Sequence, residues 1–399
     1  MVKGAKVGAA LLLLAASSSG TVGSTVHLPP VPAQDQAALR EIVDQLCRKE
    51  IALLGEPSSH GAGHANAFRV ALVQQLVSKC HFNAIFFEGS YYEFEAIARA
   101  RRQGQTVTPA MVSAAVGGLW KFGREFQPLL PFLAAEATGG RLALGGIDFQ
   151  MGGFEQPYTN DLLPVELTNF LAGDRRAVCR EAFRQRAYRG YAVSRRPDLR
   201  QCVEDISQAM QSRTVVDARL HAEQGGMLES LGHYFASDPT DSVGYVNARD
   251  REMFVIFQRL KARLPKRSRI IVWTATAHAA KDATAFPPFA SVKNLGSYLH
   301  EAYGSRAFSI GITAFSGSYR YGNRHRSQPP APPDSLEAQA MGGAGSDTVY
   351  LGPSRLRRIG VVPSAVFDHV YLSENWAKAV DGMVVFHTEY PPQDSRPGF

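Results

Sequence analysis

Cysteine is scarce in this chain: Cys47, Cys80, Cys179 and Cys202 are the only four in 399 residues, and none forms a CxxC pair. That argues against zinc ribbons and thioredoxin-like redox motifs, and leaves an even number able to pair as disulfides. The chain has no HExxH helix, so it lacks the zincin signature, and no G-x-S-x-G turn, so a serine acyl-enzyme is disfavoured. Long apolar runs are missing too. The longest, residues 7–16 (VGAALLLLAA), falls short of the roughly 20 residues that span a bilayer as a helix. Strong charge of one sign is also absent. A net charge of +7 over this length, with no basic stripe interleaved with aromatics, excludes a nucleic-acid-binding role. No internal repeat is visible.

What is present is a chain with 45% apolar residues, enough to bury a substantial core in one large or two ordinary domains. Lys3 and Lys6 precede the short apolar run, and small residues follow it, the pattern of a secretory signal peptide. The expected organisation is a signal peptide and Pro-rich lead-in over 1–33, an α/β core over 34–154 and 263–399, and an inserted helical bundle over 155–262. A periplasmic or secreted location follows, with no stable membrane insertion once the signal is removed. In such an oxidising compartment two disulfides are expected. Of three possible connectivities, the local one, Cys47–Cys80 with Cys179–Cys202, is favoured.

Alternating strand and helix patterns predict the fold class: α/β, a mainly parallel central sheet flanked by helices, with an inserted helical-bundle subdomain. Strands are expected at 51–54, 83–87, 141–150, 269–274 and 307–315, with two closing strands at 367–372 and 383–387. Helical spacing of apolar residues marks 33–48, the stretch up to Cys80, and 93–102. Between 155 and 262 strand-like runs disappear and about four helices are expected. The segment 328–352 is rich in Pro and Gly and reads as a long loop with one short helix at 335–340.

The stretch 51–69, IALLGEPSSHGAGHANAFR, organises the candidate chemistry. A buried strand ends in Gly55-Glu56, turns through Pro57-Ser58-Ser59 and presents His60 before a helix begins. Such strand-to-helix turns lie at the carboxyl edge of a sheet, where open α/β folds bind ligands. A second strand carries Glu88 to the same edge, and a later one leads to His278. Taken singly, each is equally well read as a cap, a surface turn or a buried, satisfied histidine. Together they make a histidine base, His60, with Glu56 and Glu88 to orient it, and His278 as a second imidazole that polarises a carbonyl. Arg69, on the departing helix, can pair with a glutamate or hold an anionic group of a substrate. His64, four residues after His60, could share a metal with it. Asp148 and Arg249-Asp250 fit loop and tether roles as well as functional ones.

These residues resemble the erythromycin esterase family. The resemblance rests on residues 55–61 (GEPSSHG), Phe87-Glu88, 146–150 (GIDFQ), Arg249-Asp250-Arg251 with Met253, Trp273 with His278, and 294–299 (NLGSYL). It implies an α/β core with a helical subdomain and a large cleft, and metal-independent hydrolysis in which His60 activates water. It places Glu88 as the partner of His60, Glu56 and His278 in the site, and a basic residue at Arg69. Three residues separate Glu56 from His60 where the family commonly has two, and Ala275-Thr276 stand where it often has His-Asn. The leading expectation is an exported hydrolase of a small-molecule ester or lactone that needs no cofactor. The alternatives are a metal-dependent hydrolase using His60, Glu88, His278 and His64, and a non-catalytic binding protein on a degenerate hydrolase scaffold.

Overall fold

The structure, a computed structural model, describes residues 32–396 apart from 154, 190–195 and 344. The signal segment therefore lies almost wholly outside the described residues. Ten strands are described: β1 Ile51–Glu56, β2 Ala84–Ser90, β3 Ala143–Asp148, β4 Ile270–Ala275, β5 Ala307–Tyr321, β6 Arg324–Gln328, β7 Thr348–Leu351, β8 Val361–Ser364, β9 Leu372–Asn375 and β10 Gly382–Glu389. Eight make one sheet, ordered β3-β2-β4-β1-β5-β10-β7, with β6 on the far end of β5; β8 and β9 form a separate hairpin. Every pairing from β3 through β10 is parallel, and only β7 and β6 join antiparallel. The fold class is the expected one.

The central strands are apolar on both faces because helices cover both faces. On β1, Ala52 and Leu54 pack with Phe68, Leu72 and Leu76 of the helix Gly63–Cys80. Ile51 and Leu53 face the other way, into a core shared with Met253, Ile256 and Phe257. Those three belong to the helix Ser242–Ala262, which returns the chain to β4. Between 155 and 242 the described residues form the further helices Leu163–Thr168, Gly173–Arg189, Arg196–Gln211 and Ala218–Ala236. With Ser242–Ala262 that is five α-helices, preceded by the π-helical turn Tyr158–Leu162, where about four helices were expected. Cys47 is paired with Cys80 and Cys179 with Cys202, the local connectivity. No helix among the described residues is long and apolar enough to cross a membrane.

Three local expectations fail. The segment 328–352 holds the expected short helix, Leu336–Met341, but it also holds an unexpected strand, β7, whose Val349 and Leu351 are buried. The strand β5 runs on past Phe315 to Tyr321 and turns into β6, a hairpin the pattern did not signal because its outer half is polar. The strand expected over 367–372 is a turn between β8 and β9, and it packs against the His60 turn: the Ser58 N–H donates to the Phe367 carbonyl at 2.8 Å.

Candidate active site

Because β3, β2, β4 and β1 are neighbours and parallel, their carboxyl ends lie at one edge. Asp148 ends β3, Glu88 sits near the end of β2, and Glu56 ends β1. β4 ends at Ala275 and passes into the short helix Thr276–Ala279, which carries His278. The side chains there form two clusters.

The first is built on Glu56, which has no exposed surface. Its Oε1 lies 3.0 Å from His60 Nδ1 and accepts the Trp120 indole N–H at 2.5 Å. Its Oε2 is 2.5 Å from an Arg69 guanidinium nitrogen. Burial pushes the Glu56 carboxyl up, but Arg69, then His60 and Trp120, outweigh it and hold the pKa below the ordinary value. A carboxylate kept ionised against His60 Nδ1 selects the tautomer with its proton on Nδ1, leaving Nε2 as acceptor. His60 itself is in the left-handed region, φ +52°, in a turn closed by its own N–H on the Pro57 carbonyl. Its side chain is 13% exposed and opens on a cavity of about 280 Å³.

The second cluster is built on Glu88, whose Oε1 accepts from Arg249 at 2.7 Å. Its Oε2 accepts from the Thr274 hydroxyl at 2.6 Å and the Ala275 N–H at 3.0 Å. Burial opposes ionisation, yet His278 and then Arg249 hold the carboxyl well below the usual carboxylate range. Arg249 also reaches Asp148 at 2.7 Å and lies 2.9 Å from His278 Nε2. His278 Nδ1 is 2.8 Å from Asp250. Burial lowers the His278 pKa, while Asp250 and Glu88 raise it further than burial lowers it. A guanidinium can only donate, so the contact to Nε2 belongs to the neutral ring, with its proton on Nδ1 toward Asp250. Protonating His278 would require Arg249 to move.

Several expectations change in detail. The carboxylate touching His60 is Glu56, not Glu88, because the three residues of the turn bring His60 back over the end of its own strand. Arg69 has no exposed surface and cannot reach a substrate from there: it lies 3.8 Å from the Trp273 ring centroid and bonds Asn66 and the Leu54 carbonyl. It is a positioning residue for Glu56. His64 points away from His60, stacked on Phe386 at 3.9 Å and bonded to Asp35 at 3.1 Å. That removes the metal pair suggested by its spacing, and among the described residues no group of three His, Cys, Asp or Glu converges as a ligand set. Sequence reading missed Trp120, Asp368 and His369. The stretch 119–137 reads as helical, but only Leu129–Thr138 is a helix and Trp120 lies in the turns before it; the other two lie in the segment expected to be a strand.

A model of the erythromycin esterase family matches residues 77–389, which takes in Glu88 and His278 and leaves the His60 turn upstream. No curated protein sequence matches significantly. Among solved structures, a protein from Bacillus cereus superposes with a TM-score of 0.69 at 16% identity, covering 93% of this chain and 97% of its own. A succinoglycan biosynthesis protein gives 0.67 at 12%, covering 94% and 100%. A mutant erythromycin esterase in its open conformation gives 0.61 at 15%, covering 92% and 97%. At these identities the structures establish the shared fold, and the family model supplies the membership: this chain belongs to the erythromycin esterase family.

Proposed function

We propose that the protein is an exported hydrolase that cleaves a small-molecule ester or lactone with water deprotonated by His60. The observation that carries this reading is the 3.0 Å contact of Glu56 with His60 Nδ1 at the wall of an open cavity. Glu56 holds the ring with Nε2 free to accept a proton, and Arg69 holds Glu56. In the reaction the water oxygen attacks the carbonyl carbon and its proton passes to His60 Nε2. The carbon–oxygen bond to the alcohol then breaks, and the leaving oxygen takes that proton. Arg249, anchored by Glu88 and Asp148 and donating to the neutral His278, supplies positive charge suited to a developing oxyanion, and His278, tied to Asp250, holds it in place. No step calls for a cofactor. The helices of 155–262 act as an inserted subdomain walling the cleft, and the disulfides suit a periplasmic or secreted setting.

The test is His60→Ala together with His60→Asn, assayed on a panel of esters and lactones. Loss of roughly a hundredfold or more in kcat/KM, with an unchanged circular dichroism spectrum, is expected for removal of a general base. Hydrolysis at the parent rate in both variants would sink the mechanism.

A further inference from the structure

We propose that His369 is a positioning residue for His60: through Ser59 it holds the turn that presents the His60 ring to the cavity. His60 is the base in the hydrolase reading, on which this assignment rests, and His369 lies outside both clusters of that site.

His60 is in the left-handed region, which residues other than glycine seldom occupy, so its surroundings must hold it there. Ser59 supplies one such hold. Its Oγ accepts the Gly61 N–H at 3.3 Å and so bridges the residues on either side of His60. The same oxygen lies 2.9 Å from His369 Nε2, and Ser59, His60 and Gly61 all line the cavity of about 280 Å³. The direction of the Ser59–His369 bond follows from its neighbours. Gln328 donates its Nε2–H to the Ala314 carbonyl at 2.7 Å, which leaves its Oε1 facing His369 Nδ1 at 3.0 Å. An amide oxygen only accepts, so the His369 proton is on Nδ1, and Nε2 accepts the Ser59 hydroxyl. Ser59 keeps a lone pair for Gly61.

Each donor in this relay has its own acceptor, and the relay runs from Ala314, on β5 and paired with Phe386 of β10, to the two residues flanking His60. Burial pushes the His369 ring down to about 4, so the ring is neutral at neutral pH and Nε2 stays an acceptor. The Tyr319 ring, stacked on His369 with centroids 3.5 Å apart, fixes the plane in which both ring nitrogens lie. The hairpin that carries Tyr319 and Gln328 is itself seated on the turn. The Arg320 N–H donates to the Gly61 carbonyl at 2.9 Å. A Cβ on Gly61 would meet the Arg320 carbonyl oxygen at 1.7 Å, so only glycine lets the two backbones approach this closely. On the other side the Ser58 N–H donates to the Phe367 carbonyl, two residues before His369.

The experiment pairs ester-hydrolysis kinetics with nitrogen NMR of the histidine rings. His369→Phe keeps a ring to stack on Tyr319 and removes both nitrogens, whereas His369→Gln keeps an acceptor near the place of Nε2. His369→Phe and Ser59→Ala should each lower kcat roughly tenfold, the scale of one hydrogen bond, with KM little changed. Ser59→Ala breaks the same bond by a much smaller change, so it decides the matter if His369→Phe folds poorly. The double variant should fall no further than the worse single one, because both break one relay. His369→Gln should regain most of the loss. Parent kcat in Ser59→Ala, additive losses in the double variant, or a His369→Gln no better than His369→Phe would overturn the proposal. In the NMR arm, the parent His369 ring should be neutral at neutral pH with its proton on Nδ1, and the His60 ring signal should move in both single variants. An imidazolium or an Nε2–H ring at His369, or an unmoved His60 signal, would equally sink it. These signals need no turnover, so their failure is separate from failure of the hydrolase reading, which the His60 variants decide.

Discussion

Glu56 is one buried carboxylate that serves His60, Arg69 and Trp120 at once. Replacing it by glutamine leaves the Arg69 guanidinium buried without an anion. Loss of one partner of a buried pair costs about 3–5 kcal/mol, so Glu56→Gln should lower urea-unfolding stability by an amount of that order and reduce hydrolysis as well. A variant as stable as the parent would show that Arg69 is neutralised elsewhere. Asp368 offers a second residue-level test. Burial raises its carboxyl to about 6 from an ordinary 3.8, against the opposing charge of His60 and a hydrogen bond from the Ser59 backbone. A folded pKa above the unfolded value stabilises fully below the unfolded pKa and is lost as pH rises through the folded one. The melting temperature of the parent should therefore fall relative to Asp368→Asn between about pH 4 and pH 6. Parallel curves for the two proteins across that window would refute the assignment.

Among the elements, the β5–β6 hairpin and the turn after β8 matter most, because both lean on the His60 turn. The strand pattern marked only the inner half of β5, where both faces are buried; the outer half is polar and half-exposed. Its position is decided by a backbone approach at Gly61 that no periodicity reports. Gly61→Ala should push the hairpin away and destabilise the fold by about 1–3 kcal/mol, the usual cost of overpacking. If Gly61→Ala melts with the parent, the hairpin is not held at this point.

At the level of the whole molecule, the two disulfides tie helices on opposite sides of the sheet. Cys47–Cys80 closes a loop of 33 residues between the helices Gln36–Leu46 and Gly63–Cys80. Removing such a crosslink costs about 2–5 kcal/mol, so Cys47→Ala/Cys80→Ala should unfold at distinctly lower urea, and the parent should lose stability when thiol reductant is added. Indifference of the parent to reductant would mean the crosslink is absent in solution.

The mainly parallel character of the sheet, the edge shared by Glu56, Glu88 and His278, and the local cysteine pairing were all legible in the amino-acid sequence. Each rests on short-range information: apolar strands ending in polar turns, and cysteines on helices that adjoin in the chain. The partners of those residues were not legible. That Glu56 rather than Glu88 touches His60, that Arg69 is sealed beneath Trp273, and that His64 turns toward Asp35 depend on which way each side chain faces once the layers close. Arg320 at the cavity is the same case, 260 residues from His60 in the chain and brought beside it by a hairpin. Hydrophobic periodicity determines which segments are buried and in what class of fold; only packing in three dimensions decides which charged groups are left facing one another.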